Sequence, residues 1–369
     1  MPSKETIVGL EGQQPTLWLR PSKSRPGRKR LIETIPPPTS RSLERMNDPL
    51  LVRTKMTHEC EIYPYGFPVR LASNSPLVME AAAISWGTYK RHFITPPLDV
   101  RCLVSDSDKP ACVEPPVFRS QQHLLSIVAD AENFACLDLE RAFSFGWVTR
   151  KTAESTEYFR QCFLDVMIYP LLEIKYLVTL HAACVVFNGR GVLLTGDAGA
   201  GKSSLAYACA RRGWTFVSDD ASMFLRDAET QEVIGHSHRF RFREPVGELF
   251  PEFLGLRSTL RAYNKPTIEV KTTGLPVKIA SSGPVDFIVF LNRRGFTSGP
   301  PRLIRLDPED AWQRLVTSIW AVQLPALDER VEALGRLLSK PIYEMQYGPL
   351  DGAIDTLEQL VRESQVRLD

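Results

Sequence analysis

The sequence predicts an α/β protein: a P-loop nucleotide-binding core with a smaller α+β N-terminal domain and a disordered N-terminal tail. Three observations point there. Residues 196–203 read Gly-Asp-Ala-Gly-Ala-Gly-Lys-Ser, which fills each fixed position of the phosphate-loop pattern G-x-x-x-x-G-K-[ST]. Two short apolar runs, 185–187 and 192–195, read as strands before the loop, and the Ala-, Leu- and Arg-rich stretch 204–212 reads as a helix after it. A further strand, Phe216-Val217, then runs into two adjacent carboxylates, Asp219 and Asp220.

Residues 1–55 contain a run of Arg20, Lys23, Arg25, Arg28, Lys29 and Arg30 and the triplet Pro36-Pro37-Pro38, with little hydrophobic periodicity. A segment of that kind buries too little apolar surface to offset its chain entropy and is expected to be a disordered tail. Residues 56–177 switch to short strand-like runs: 61–63, 67–71, 100–104, 123–128 and 133–139. Ser75 as N-cap and Pro76 at the first helical position start a helix that reaches Trp86. A second helix is expected from Glu154 to about Leu177, interrupted or ended near Pro170. This stretch is the α+β N-terminal domain with its connecting helix. Residues 178–369 supply the α/β core, with later strands at 285–291 and 303–306 and a closing helix from about Leu350 to Glu363.

Composition narrows the functional classes. Hydrophobic residues make up 43% and charged residues 24% of the 369-residue chain, the balance of an ordinary globular protein. The 45 Lys and Arg exceed the 43 Asp and Glu by only two, so whole-chain charge makes no case for a nucleic-acid or membrane partner. A nucleic-acid role would rest on the basic tail alone and ranks last. No apolar run approaches the roughly 20 residues that span a bilayer, and no signal-like segment opens the chain, which leads to the expectation of a cytoplasmic protein. Seven cysteines without a C-x-x-C pair read as reduced thiols.

The loop residues Gly196, Asp197, Ala198, Gly199, Ala200, Gly201, Lys202, Ser203 and Ser204 are the candidate nucleotide-binding set. Glycines let the loop turn back so that its amide N–H groups face phosphate oxygens, Lys202 reaches the outer phosphates and the Ser203 hydroxyl holds Mg²⁺. The helix that follows adds its dipole and its unpaired N–H groups. A Gly-rich turn without ligand is the plain alternative, and the strand–loop–helix context weighs against it. In a parallel α/β sheet the strand after the loop helix ends in the same crevice, so Asp219 and Asp220 can reach metal and terminal phosphate. Neighbouring strand residues face opposite ways, so the two carboxylates divide the work: one on the nucleophile, the other on Mg²⁺. His181 opens the strand before the loop; alone it reads as structural.

The stretch from His181 to Asp220 resembles the catalytic domain of HPr kinase/phosphorylase, the bacterial enzyme that phosphorylates a serine of the carrier protein HPr. The matching elements are His181, the run Gly189-Arg190-Gly191-Val192-Leu193-Leu194-Thr195-Gly196-Asp197, Arg212-Gly213, and Asp219-Asp220, at the same spacing. By this resemblance Asp219 is the acid/base on the acceptor hydroxyl, His181 lies near the reacting phosphate, Asp220 belongs to the metal environment, and Lys202 and Ser203 are the loop lysine and metal-holding hydroxyl. Three departures stand beside it. Ser204 occupies a position that is usually glutamate in the family. The later Glu-Ile-Arg-Gly motif and the Pro-Gly-Arg loop do not occur after the phosphate loop; Glu244 or Glu248, in the run 241–248, are the candidates to take the missing glutamate's place at the metal.

The resemblance implies ATP and Mg²⁺ as cofactors and a protein or peptide hydroxyl, most simply serine, as acceptor, with a homo-oligomer as a further implied partner. The absent motifs argue against assuming HPr itself, and more strongly against phosphorolysis. A nucleotide-binding regulator or an NTPase without an acceptor is the competing expectation.

Overall fold

The computed structural model describes residues 55–107, 109–226, 231–259, 266–317 and 327–366. The basic, proline-rich segment read as a disordered tail lies, apart from its last residue, outside them. Residues Asp48–Asp369 cluster as one unit, built around two seven-stranded sheets.

Seven strands form the first sheet: β1 His58–Ile62, β2 Val69–Ser73, β3 Leu98–Ser105, β4 Val117–Gln121, β5 Leu124–Val128, β6 Phe134–Asp138 and β7 Phe143–Thr149. Their order is β1-β2-β3-β7-β6-β5-β4, parallel from β2 through β3 to β7 and antiparallel elsewhere. The helix Pro76–Trp86 begins as the sequence predicts, with Pro76 in its first turn and the Ser75 hydroxyl accepting from the Leu77 N–H at 3.4 Å. It buries Val78, Ala81, Ala82 and Trp86 in the core of this half.

The next helical stretch departs from expectation. Helix begins at Arg150 rather than Glu154, and Pro170 ends nothing: it lies inside the segment Asp165–Lys175. A proline in a helix interior costs ~3 kcal/mol. That cost is outweighed because Val166, Met167, Ile168, Leu171, Leu172 and Ile174 are all buried, each contributing about 1.5–3 kcal/mol. Just before it, Arg160–Leu164 widens into a π turn in which the Asp165 N–H reaches back to the Arg160 carbonyl. Leu177, expected as the helix's last residue, instead starts a strand.

That strand, β8 Leu177–Leu180, is followed by β9 Ala183–Phe187, β10 Arg190–Thr195, β11 Thr215–Ser218, β12 Ser222–Leu225, β13 Glu232–Gly235, β14 Arg239–Phe242, β15 Ile268–Lys271, β16 Lys278–Ile279, β17 Ser282–Pro284, β18 Phe287–Asn292, β19 Arg302–Arg305 and β20 Ile342–Gln346. The central sheet runs β16-β11-β9-β10-β18-β20-β19; a four-stranded sheet, β17-β13-β12-β8, and the ribbon β14-β15 accompany it. Alternation along the central strands sorts side chains into two cores. Val192, Leu194, Val289 and Leu291 join the loop helix Lys202–Arg211 and the closing helix Leu350–Val366, whereas Leu193, Ile288 and Phe290 join Ala311, Leu315, Leu334 and Leu337. Strands buried on both faces read as continuous apolar runs, which is why 192–195 and 285–291 are visible in sequence.

Candidate functional site

The central sheet explains why distant residues meet. β9 pairs antiparallel with both β10 and β11, with Ala183 opposite Leu194 and Cys184 opposite Ser218. β10 and β11 therefore point the same way, and their C-terminal ends share one edge. Because β9 runs against them, its first residues lie at that same edge. One antiparallel strand thus gathers the phosphate loop, the Asp219-Asp220 pair and His181, which does not open a strand as expected but sits in the bend between β8 and β9, two residues before Ala183. The sheet expected to be parallel is mixed at this point, yet the ends converge all the same.

The loop itself is shaped by its glycines. Gly196, Gly199 and Gly201 have φ of 135°, 86° and 98°, the left-handed side that costs any other residue ~1–2 kcal/mol. Space is limiting too: a Cβ on Gly196 would sit 2.8 Å from the Leu291 carbonyl, and one on Gly201 would run into the Tyr347 hydroxyl. That hydroxyl donates to the Ala200 carbonyl at 2.6 Å, pinning the loop's far limb. Asp197, Ala198 and Gly199 form the exposed tip. Lys202, only 6% exposed, folds back so that its Nζ donates to the carbonyls of Gly196 and Asp197 at 2.7 and 3.1 Å. Ser204 follows on the first turn of the helix and is half-buried.

The acidic pair lies in the bend just after β11, which ends at Ser218, so a bend and not the strand alternation expected from sequence separates the two carboxylates. Asp219 is 1% exposed, and its Oδ2 accepts from the backbone N–H of Arg241 on β14. Its carbonyl oxygen lies 3.4 Å from the Ser203 hydroxyl, so the strand end abuts the start of the loop helix. Asp220 is more open: His181 Nδ1 stands 3.2 Å from its Oδ1 and 2.9 Å from its carbonyl oxygen. Glu244 is exposed in the turn after β14, and Glu248 is exposed in the short helix that follows. Among the described residues no group of three or more His, Cys, Asp or Glu has a metal-holding arrangement. Mg²⁺ with substrate phosphates takes one or two protein carboxylates and needs no such cage. The Ser203 hydroxyl, the Asp220 carboxylate and the glycine-shaped loop are hard oxygen and amide groups, which fit a magnesium–nucleotide and not a soft metal.

Sequence reasoning missed what stands behind Asp219. Glu269 on β15 receives Arg160 at 2.6 Å, Arg239 at 3.1 Å and Arg241 at 3.3 Å. Burial pushes the Glu269 carboxyl up, but the charges of Arg241, Arg160 and Arg239 outweigh it and hold it well below the usual carboxylate range. Arg241, fully buried, stays firmly protonated: burial opposes its charge, and Glu269 with Asp219 and Asp220 among its neighbours prevails. The strand Arg239–Phe242 was not expected from the sequence, and nothing in it names Glu269 or Arg160 as partners. Arg293 was also missed: it follows β18, lies beside Gly201, and has its guanidinium 5.5 Å from the centre of the Tyr347 ring.

Part of the chain is similar to known proteins. Residues 173–243 match the family model described as HPr Serine kinase C-terminal domain. Among curated relatives, HPr kinase/phosphorylase of Limosilactobacillus reuteri is 43% identical over 53 residues, 14% of this chain and 17% of that protein. The Chlorobaculum tepidum enzyme is 33% identical over 110 residues, 30% of this chain and 29% of that protein, and the Clostridium beijerinckii enzyme is 29% identical over 122 residues, 33% and 37%. The chain thus spans well under half the length of these relatives. The solved Hpr(Ser) kinase/phosphatase of Coxiella burnetii aligns with a TM-score of 0.29 and 17% identity over 52% of this chain and 92% of that one. The segment that carries the loop, His181 and the acidic pair is HPr kinase-related, as its motifs led us to expect. No helix among the described residues is long and apolar enough to cross a membrane.

Proposed function

We propose that this protein is an ATP-dependent kinase that passes the γ-phosphate to a hydroxyl, a serine of a protein or peptide. The observation that carries the reading is the meeting of Asp219 with Ser203: the residue with the buried carboxylate follows β11 directly, and its main-chain carbonyl lies 3.4 Å from the Ser203 hydroxyl in the first turn of the loop helix. Its kinship with the HPr Serine kinase domain supports the same class of chemistry. ATP with Mg²⁺ supplies the transferable phosphoryl group. The chain's own residues bind and orient: the loop amides and Lys202 offset phosphate charge, and Ser203 with Asp220 holds the metal, with Glu244 or Glu248 as an added carboxylate. Asp219, its orientation set by the Arg241 N–H, takes the acceptor proton on its carboxylate, and His181 lies beside the phosphate through its contact with Asp220.

A second reading has its own observation. Asp219 is almost sealed from solvent and Lys202 is engaged by its own loop carbonyls, which also suits a nucleotide-binding regulator or NTPase with no acceptor. One experiment separates them: incubate a lysate with the protein and γ-labelled ATP, using Lys202→Ala as control, and identify labelled peptides by mass spectrometry. Lys202-dependent labelling of a serine peptide is the expected result. Bound or hydrolysed nucleotide with no labelled acceptor overturns the kinase reading.

A further inference from the structure

Behind Asp219, between the helical segment around Arg160 and the β14–β15 ribbon, lies a cavity of about 160 Å³. A single water needs only ~10–15 Å³ of such space, so the cavity has room for a polyatomic group. Its charged lining is lopsided: Arg160, Arg239, Arg257 and Lys271 face only Glu157 and Glu269. Both carboxylates are already committed. Glu157 pairs with Arg160 at 2.6 Å, and Glu269 serves Arg160, Arg239 and Arg241 together. Arg257 and Lys271 are exposed at the cavity's rim and form no ion pair among the described residues. Deeper in, Arg160 is 1% exposed, yet its buried Nε has no hydrogen-bond partner. A buried donor without an acceptor costs about 1–3 kcal/mol.

We propose that this cavity is a second anion site, taking a phosphate-type oxyanion between the rim cations Arg257 and Lys271 and the buried guanidiniums of Arg160 and Arg239. The chemistry follows from the lining. Guanidinium groups present planar paired N–H donors that match phosphate oxygens, and an ammonium adds a mobile point charge. An incoming oxyanion would supply the acceptor that the Arg160 Nε lacks and a partner for Arg257 and Lys271, since the exposed Glu157 at the same rim is taken by Arg160. The site is separate from the phosphate loop and stands whether or not the protein is a kinase.

The test uses the full chain and two ligands, titrated separately by calorimetry: inorganic phosphate and a phosphoserine peptide. Arg257→Ala/Lys271→Ala changes two exposed side chains, and circular dichroism checks that its fold is retained. Lys202→Ala marks binding at the loop. The expected result is a binding event that persists in Lys202→Ala and is weakened about tenfold or more in the double variant, the loss expected when charge-assisted contacts are removed. Saturation by inorganic phosphate with no gain from the peptide assigns a free anion, and tighter peptide binding assigns a protein-borne phosphate. The proposal is overturned if the double variant binds both ligands as the unmodified protein does, or if all binding vanishes in Lys202→Ala.

Discussion

Arg241 grips Asp219 with its backbone and Glu269 with its side chain: the Arg241 N–H donates to Asp219 Oδ2 while Nε reaches Glu269 Oε1 at 3.3 Å. The orientation of the candidate catalytic carboxylate is thereby tied to a buried ion cluster whose members come from residues 160, 239, 241 and 269.

Removing the anion at the centre of that cluster should be costly. Glu269→Gln keeps the shape but leaves three buried guanidiniums without their shared countercharge, and breaking a buried pair of this kind costs about 3–5 kcal/mol. The expected outcome is a lowered urea midpoint with an unchanged denaturant slope. A midpoint equal to that of the unmodified protein would show that the cluster contributes nothing.

Asp219→Asn preserves the hydrogen bond to the Arg241 N–H, because the amide oxygen still accepts, but removes the base. Phosphoryl transfer should fall about 10²- to 10⁴-fold, the usual worth of a positioned acid/base group, while nucleotide affinity stays within a few-fold. Label transfer and nucleotide titration read the two quantities independently. Transfer at the original rate removes Asp219 from the chemistry.

Gly201→Ala tests the loop. The substitution places a Cβ at φ 98° against the Tyr347 hydroxyl that holds the Ala200 carbonyl. Backbone strain alone is worth ~1–2 kcal/mol, so nucleotide affinity should drop by about tenfold or more. Gly199→Ala is the informative companion: its φ is 86°, but its Cβ would meet nothing within 4 Å, so its loss should be smaller.

Acid should destabilise the fold in two stages. His236, stacked on Tyr89, is held well below the ordinary histidine value by burial first and then by the charges of Arg241 and Arg239. The unfolded chain takes up a proton near pH 6.5 that the folded chain refuses, so stability falls as pH drops through that value. Glu269, depressed in the fold, adds a stabilising contribution that is complete above its unfolded value of 4.5 and is lost as pH falls further. Thermal melts at about pH 7.5 and about pH 5.5 should show the lower Tm in acid. His236→Asn should narrow that gap, and an unaltered gap would assign the acid sensitivity elsewhere.

Much of the site was legible because its demands are local. A loop that must turn left-handed at 196, 199 and 201 needs glycine there, and a strand buried on both faces must be apolar throughout, so the motif and its flanking strands stand out from the sequence alone. The helix start at Ser75-Pro76 was readable for the same reason: caps and prolines act within a single turn. Pro170 shows the limit, since its local preference was overruled by the burial of six apolar residues of its own helix against the rest of the fold. The tertiary structure alone decided that β9 would run antiparallel between β10 and β11, bringing His181, Ser203 and Asp219 to one edge. It alone recruited Glu269 and Arg160, more than a hundred residues apart, to the charge cluster behind Asp219. The pairing of buried charges depends on which chains pack together, and no spacing along the sequence encodes that distance.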